Sequence, residues 1–228
     1  MYETNPLLNI LKSCPQTYDD VKKYFTEVAQ MLMNNYVISK SKIEYEIVEI
    51  EFYLFNSNHP DVIVYPRNCV AGQWFFLQSG VDLTFATTNE QFGGILIRGL
   101  REIGGERKQI FGPQNCVNLL WDKFNAFEAI ESEIPTIIPA NIPPNSRVGS
   151  PSIVPCKRWI PVKKDPIKSS CKIAEWITRV GGAGYHFDKD PKKITELVFE
   201  SEYRFIKEEA ININDNVWKH YNAKTKKV

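Results

Sequence analysis

One segment, Lys42 to Leu54, written KIEYEIVEIEFYL, constrains this chain more than any other. β-Branched and aromatic residues alternating with charge over that length specify a long β-strand. The alternation also changes phase. Ile43, Tyr45 and Ile47 are apolar at odd positions with glutamates between them, whereas from residue 48 the apolar side chains are Val48, Ile50, Phe52 and Leu54, and Glu49 and Glu51 take the odd positions. Side chains alternate faces with a period of two, so without a bulge both glutamates share a face with Ile47 and Tyr53. Two outcomes are open: the strand exchanges the face it buries, or two carboxylates point toward a partly buried pocket.

The neighbouring segments supply partners for such a strand. Residues 17–34 predict an amphipathic helix, with Thr17 at its cap, Asp19 and Asp20 at its positive end, and Val21, Phe25, Val28, Met31 and Leu32 at helical spacing. Residues 55–71 are loop-like, punctuated by Pro60 and Pro66. QWFFLQ (73–78) and VDLTFA (81–86) flank Ser79-Gly80 as a hairpin, and GGILIRGL (93–100) is a further strand carrying one arginine. Gly112-Pro113 opens a helix expected to run through Phe124. The proline-rich stretch 132–170 is too apolar for a linker and reads as irregular chain with short strands over the core. A short helix is expected at 172–180 and a longer one from Pro191 to Ala210. The sum is an α+β single domain over 1–228, with an N-terminal helical segment (1–40) and a frayed tail (218–228).

Composition excludes more than it proposes. The formal net charge of +1 gives no global basic surface, so any nucleic-acid face must be local. The five cysteines are scattered without a C-x-x-C pair, which argues against a disulfide framework or structural zinc and for reduced thiols. MYETNPLLNILKSC does not read as a secretory signal, and no window has the apolar length of a membrane span, so an intracellular, soluble protein is expected. Neither a P-loop nor a G-x-G-x-x-G is present, and no metal or organic cofactor is implied.

Several segments, in order, resemble the alkyladenine (3-methyladenine) DNA glycosylase family: Ile47-Val48-Glu49-Ile50-Glu51-Phe52-Tyr53; His59 followed by Pro66-Arg67-Asn68; the hairpin around Gly80; Gly94-Ile95-Leu96-Ile97-Arg98-Gly99-Leu100; Gly112-Pro113 with its helix; and Arg147-Val148-Gly149. The resemblance covers roughly residues 40–160, and implies a curved, largely antiparallel sheet with flanking helices and a protruding β-hairpin. It implies a monofunctional, cofactor-free glycosylase that flips a damaged purine, alkylated or deaminated, out of DNA and hydrolyses its N-glycosidic bond. Glu51 would take the proton of the attacking water and stabilise the cationic sugar, with Arg98 and His59 around the water and the neighbouring phosphate. Tyr53 would stack on the extruded base, with Phe76 as a second stacking face by position. Glu49 is read as structural. Arg67, Lys157, Arg158, Lys163 and Lys164, interleaved with Trp159, form the candidate phosphate strip; a solvated face is the other reading of that run.

The sequence departs from the family at the DNA-inserting tip, where the family has an aromatic wedge and this chain has Gln78 and Ser79, and Asn115 stands in place of a lysine. Two rivals are therefore kept: a hydrolase of the same fold acting on single-stranded nucleic acid or a free nucleoside or nucleotide, and a non-catalytic binding protein in which Glu51 and Arg98 are merely paired. The sequence leaves the oligomeric state open.

Overall fold

The computed structural model describes residues 5–88, 91–104, 109–122, 127–128, 130–141, 152–158 and 190–211, with single positions at 160, 165, 166, 168, 169, 173 and 175. Trp159, Lys163, Lys164, Arg147-Val148-Gly149, most of the helix expected at 172–180 and the tail lie outside them.

The fold is α+β, with helices on a curved antiparallel sheet. Strands β4 (Trp74–Leu77), β5 (Gly80–Thr88), β6 (Gln91–Glu102), β2 (Ile43–Asn56), β1 (Tyr36–Lys40) and β8 (Thr136–Pro139) lie side by side in that order. Short strands complete it: β3 (His59–Pro60) and β10 (Arg204–Lys207) pair with β2, β9 (Ile153–Cys156) with β10, and β7 (Gln109–Phe111) with β6. Helices α1 (Pro6–Lys12) and α2 (Tyr18–Asn35) cover one face. Asn5 caps α1 through its side chain, and Pro6 occupies the first turn, where no amide hydrogen is missed. Thr17 is the N-cap residue of α2, but its hydroxyl bonds the Asp20 carboxylate rather than a backbone amide.

The phase change in β2 is a pair of compensating bulges. Its register against β6 runs Ile47↔Leu100, Glu49↔Gly99, Ile50↔Ile97, so Val48 on β2 and Arg98 on β6 each lack a counterpart. The strand therefore does not exchange its buried face. Tyr45, Ile47, Ile50, Phe52 and Leu54 all enter one core with Phe25, Phe85 and Tyr203, while Val48 packs on the other side with Ile206 and Ala210. Gly99 sits where the bulges abut; a Cβ there would lie 2.9 Å from Glu49 Cβ and 3.0 Å from Val48 Cγ2.

Four boundaries differ from expectation. The helix opened by Gly112-Pro113, α3 (Pro113–Leu120), ends with Trp121 at its C-cap rather than running through Phe124. The N-terminal helical segment ends at Asn35, and residues 36–40 are strand β1. The hairpin turns at Gln78-Ser79, because Leu77 pairs with Gly80. The helix from Pro191 stops at Glu200 (α4, Pro191–Glu200), and the chain re-enters the sheet as β10 before a short helix, α5 (Glu208–Ile211). Arg158 enforces that stop: its Nη2 donates to the Leu197 and Val198 carbonyls at 3.1 Å, satisfying orphan groups of the last turn. Phe205 then enters the main core and Ile206 packs on the opposite face, so adjacent apolar residues serve two faces and the segment shows no strand alternation. Among the described residues no helix is long and apolar enough to cross a membrane.

Candidate functional site

The second face of the sheet carries charge. Leu96 of β6 stands opposite Glu51 of β2 on one side and Asp82 of β5 on the other, which puts all three side chains on one face. Arg204 of β10 pairs across from Glu51 in the same row. A cavity of about 230 Å³ opens over this row, lined by Tyr53, Leu96 and Asp82, by Ile63, Val64, Tyr65 and Arg67 of the loop after β3, by Leu77 and Ser79 of the hairpin, and by Ile160.

Glu51 is fully buried. One oxygen accepts the Tyr53 hydroxyl; the other lies 3.1 Å from Arg98 Nη1. Arg98 Nε donates to Glu49 Oε1 at 2.8 Å, and Arg204 Nε donates to the same oxygen at 2.8 Å. Burial works against the Arg98 charge, but Glu51 and Glu49 more than offset it and hold that guanidinium above its ordinary value. Tyr53 is half-buried, and burial together with the Glu51 charge pushes its phenol well above the usual value, so it stays a donor to that carboxylate.

Arg98 and Tyr53 thus join Glu51 as the sequence predicts. His59 does not. It pairs with Asn56 at the end of β2 and points into the apolar core, with Nδ1 2.8 Å from the Leu54 carbonyl, Nε2 2.9 Å from the Tyr203 hydroxyl, and the Phe25 ring edge-on at 6.3 Å. Glu51 occupies the opposite face of the same strand, because side chains alternate. Burial lowers the His59 pKa, so it is a neutral core hydrogen bonder.

Phe76, expected as a second stacking face, does not line the cavity either. Phe76 is half-exposed and packs edge-on against Trp121 at 5.0 Å, on the side of the hairpin away from the cavity; Phe75, one residue earlier, faces Asp82 across the ladder and lies under the Arg67 guanidinium at 4.2 Å. Gln78 and Ser79 are exposed at the tip, and Ser79 reaches the cavity rim.

The phosphate strip is corrected most. Arg158 is fully buried against Asp61, its guanidinium 5.1 Å from the centre of the Tyr53 ring. Arg67 is buried with its Nη1 2.6 Å from Asp82 Oδ2. Lys157 pairs with Glu200 near the surface. Two of these cations are internal because each has a carboxylate waiting on another element, a pairing that no local sequence window displays. Sequence reasoning missed those two partners, Asp82 and Asp61, and also Arg204, which pairs with Glu49, and the Glu46–Lys207 pair to which Arg101 adds a second cation. Asp82 sits in VDLTF, whose alternation reads simply as one wet face.

Among the described residues no three His, Cys, Asp or Glu side chains are grouped to hold a metal ion, and the cysteines there are free.

No family model matches the chain, and no solved structure matches it. A curated relative, the uncharacterized protein L759 of Acanthamoeba polyphaga mimivirus, is 29% identical over 136 residues, covering 48% of this chain. The chain spans 62% of that relative's length.

Proposed function

We propose that the protein is an N-glycoside hydrolase that seats a purine in the cavity and uses Glu51 to activate the attacking water. The observation that carries this reading is the placement of Glu51: a fully buried carboxylate bonded to the hydroxyl of Tyr53, an aromatic residue that lines the cavity. A base held against Tyr53 lies one side chain away from that carboxylate. As the base departs, the sugar becomes cationic; Glu51 stabilises that charge and takes the proton of the incoming water. Arg98, bridging Glu49 and Glu51, fixes the carboxylate's orientation. The resemblance in motif order supports damaged purines in DNA as the substrate, and hydrolysis without strand cleavage as the outcome.

A second reading keeps the chemistry and changes the substrate to a single strand or a free nucleoside. It is favoured by one observation: Arg67 and Arg158, expected at DNA phosphate, are buried against Asp82 and Asp61. Excision assays on alkylated or deaminated purine in duplex, in single strand and as nucleoside separate the two. In whichever substrate is cut, Glu51→Gln lowers the rate at least about a hundredfold, the range of general-base catalysis. A folded Glu51→Gln protein that excises normally overturns the reading. One that melts several degrees early assigns Glu51 to a structural pair with Arg98.

A further inference from the structure

We infer that the buried Asp82–Arg67 pair is the recognition element of the cavity, and that it selects a planar heterocycle whose edge donates an N–H, as the amino group of adenine does. The inference rests on the reading that the cavity takes a base, and adds which base edge it accepts.

Most of the lining is apolar: Ile63, Val64, Leu77, Leu96 and Ile160, with the Tyr53 ring. In such a cavity the few polar groups set orientation and identity. Asp82 is the carboxylate among them, only 1% exposed. Its Oδ2 lies 2.6 Å from Arg67 Nη1, but its Oδ1 is buried with no hydrogen-bond partner among the described residues. An unmet buried acceptor costs free energy that an incoming donor recovers.

Arg67 positions Asp82 as its ion-pair partner. Its Nε donates to the Tyr65 carbonyl at 3.0 Å, its guanidinium carbon lies 4.2 Å from the centre of the Phe75 ring, and its Nη1 lies 2.6 Å from Asp82 Oδ2, an ion-pair contact rather than an aligned hydrogen bond. Burial raises the Asp82 pKa, Arg67 pulls it back, and Glu51 adds to the rise. The guanidinium 2.6 Å away favours the charged form, which accepts hydrogen bonds and has no proton to offer.

The sheet is shaped for the pair. A Cβ on Gly94 would run into Asp82 Oδ2 and come within 2.6 Å of Arg67 Nη1, so the absent side chain lets the pair lie across β6. Gly94 pairs with Tyr53 on β2, which makes the notch and the phenol ring neighbours on one face. A ring resting on Tyr53 therefore lies beside Asp82, whose unpartnered Oδ1 is the acceptor for its edge.

The test is binding, independent of hydrolysis: titration of the full chain with 9-methyladenine and with 9-methylpurine, which differ only in the amino group. A hydrogen bond to a charged acceptor makes 9-methyladenine roughly ten- to a hundredfold tighter. Arg67→Met with Asp82→Leu removes the pair without leaving a lone buried charge, and binds both ligands alike. Asp82→Asn provides a second check: with its amide oxygen on Arg67 it turns an N–H toward the cavity and loses the preference. Equal binding of the two ligands by the wild type overturns the inference, as does a preference that survives both variants. Binding of neither ligand overturns the base-seating reading with it, whereas equal, measurable binding leaves that reading standing.

Discussion

One face of β2 presents Tyr45, Ile47, Ile50, Phe52 and Leu54 to rings and aliphatic side chains; the other presents Glu46, Glu49, Glu51 and Tyr53, and its carboxylates meet arginines and a lysine. Both faces are buried. The first is held by non-directional packing, such as the Phe25–Phe52 stack at 4.4 Å, and tolerates any set of side chains of the right volume. The second is held by pairs in which each charge is tied to a named partner. Buried pairs seldom add net stability over apolar residues of similar volume, so their presence here argues for what they position rather than how much they hold.

That contrast can be broken by experiment. Phe52→Ala and Arg158→Ala should each cost about 3–5 kcal/mol in urea unfolding, one by opening a cavity and the other by stranding Asp61 and uncapping α4. The double variants should part company. Arg158→Met with Asp61→Leu recovers most of the loss, because no charge is left unpaired, whereas Phe25→Ala with Phe52→Ala loses more than either single change. A double charge-face variant no more stable than Arg158→Ala alone would show that the pair itself supplies stability.

Titration sharpens the comparison from the apolar side. His59 is buried among rings, and burial depresses its pKa below the ordinary 6.5. The unfolded chain then takes a proton on His59 at a pH where the folded chain does not. Stability attributable to this residue is full above about pH 6.5 and is lost as pH falls below it, by up to about 1.4 kcal/mol per pH unit. Comparing unfolding at pH 7 and pH 5, the wild type should show that loss and His59→Gln should not. An identical pH dependence in both would mean that His59 is protonated in the core, and that the apolar face is wetter than its packing indicates.

The apolar face was legible because it repeats. Helix α2 and β2 were expected from periodicity, the hairpin from the Ser79-Gly80 turn signal and β6 from a short continuous apolar run, and the phase change at Val48 marked the bulge without revealing that it would keep a single face in the core. The charged face was legible only at its centre, where motif order joined Glu51 to Arg98 across the sheet. Asp82, Asp61 and Arg204 were not, since pairing between distant elements leaves no local spacing. β10 was missed for a related reason: a strand buried on both sides lacks the alternation that identifies strands.

The smallest expected effect lies outside both faces, at the turn that sets which residues fall on which. Lys40 pairs with Ile43, so Ser41 and Lys42 form a two-residue hairpin loop, and both have positive φ, 50° and 68°. That is the primed turn suited to the twist of adjacent strands, but it is normally made by Asn-Gly. An L-residue in the left-handed region costs about 1–2 kcal/mol, and glycine there gives back roughly 0.5–1 kcal/mol of unfolded-state entropy. Lys42→Gly should therefore stabilise the protein by about 0.5–1 kcal/mol with an unchanged denaturant slope, while Lys42→Ala, still an L-residue, gains nothing. Because a slip of one residue in β1–β2 would exchange inward and outward side chains there, the glycine variant strengthens register without touching either face. The face-specific variants should then lose the same free energy in that background as in the wild type. Coupling above about 0.5 kcal/mol between Lys42→Gly and Phe52→Ala, but not between Lys42→Gly and Arg158→Ala, would show that the turn governs the apolar face alone.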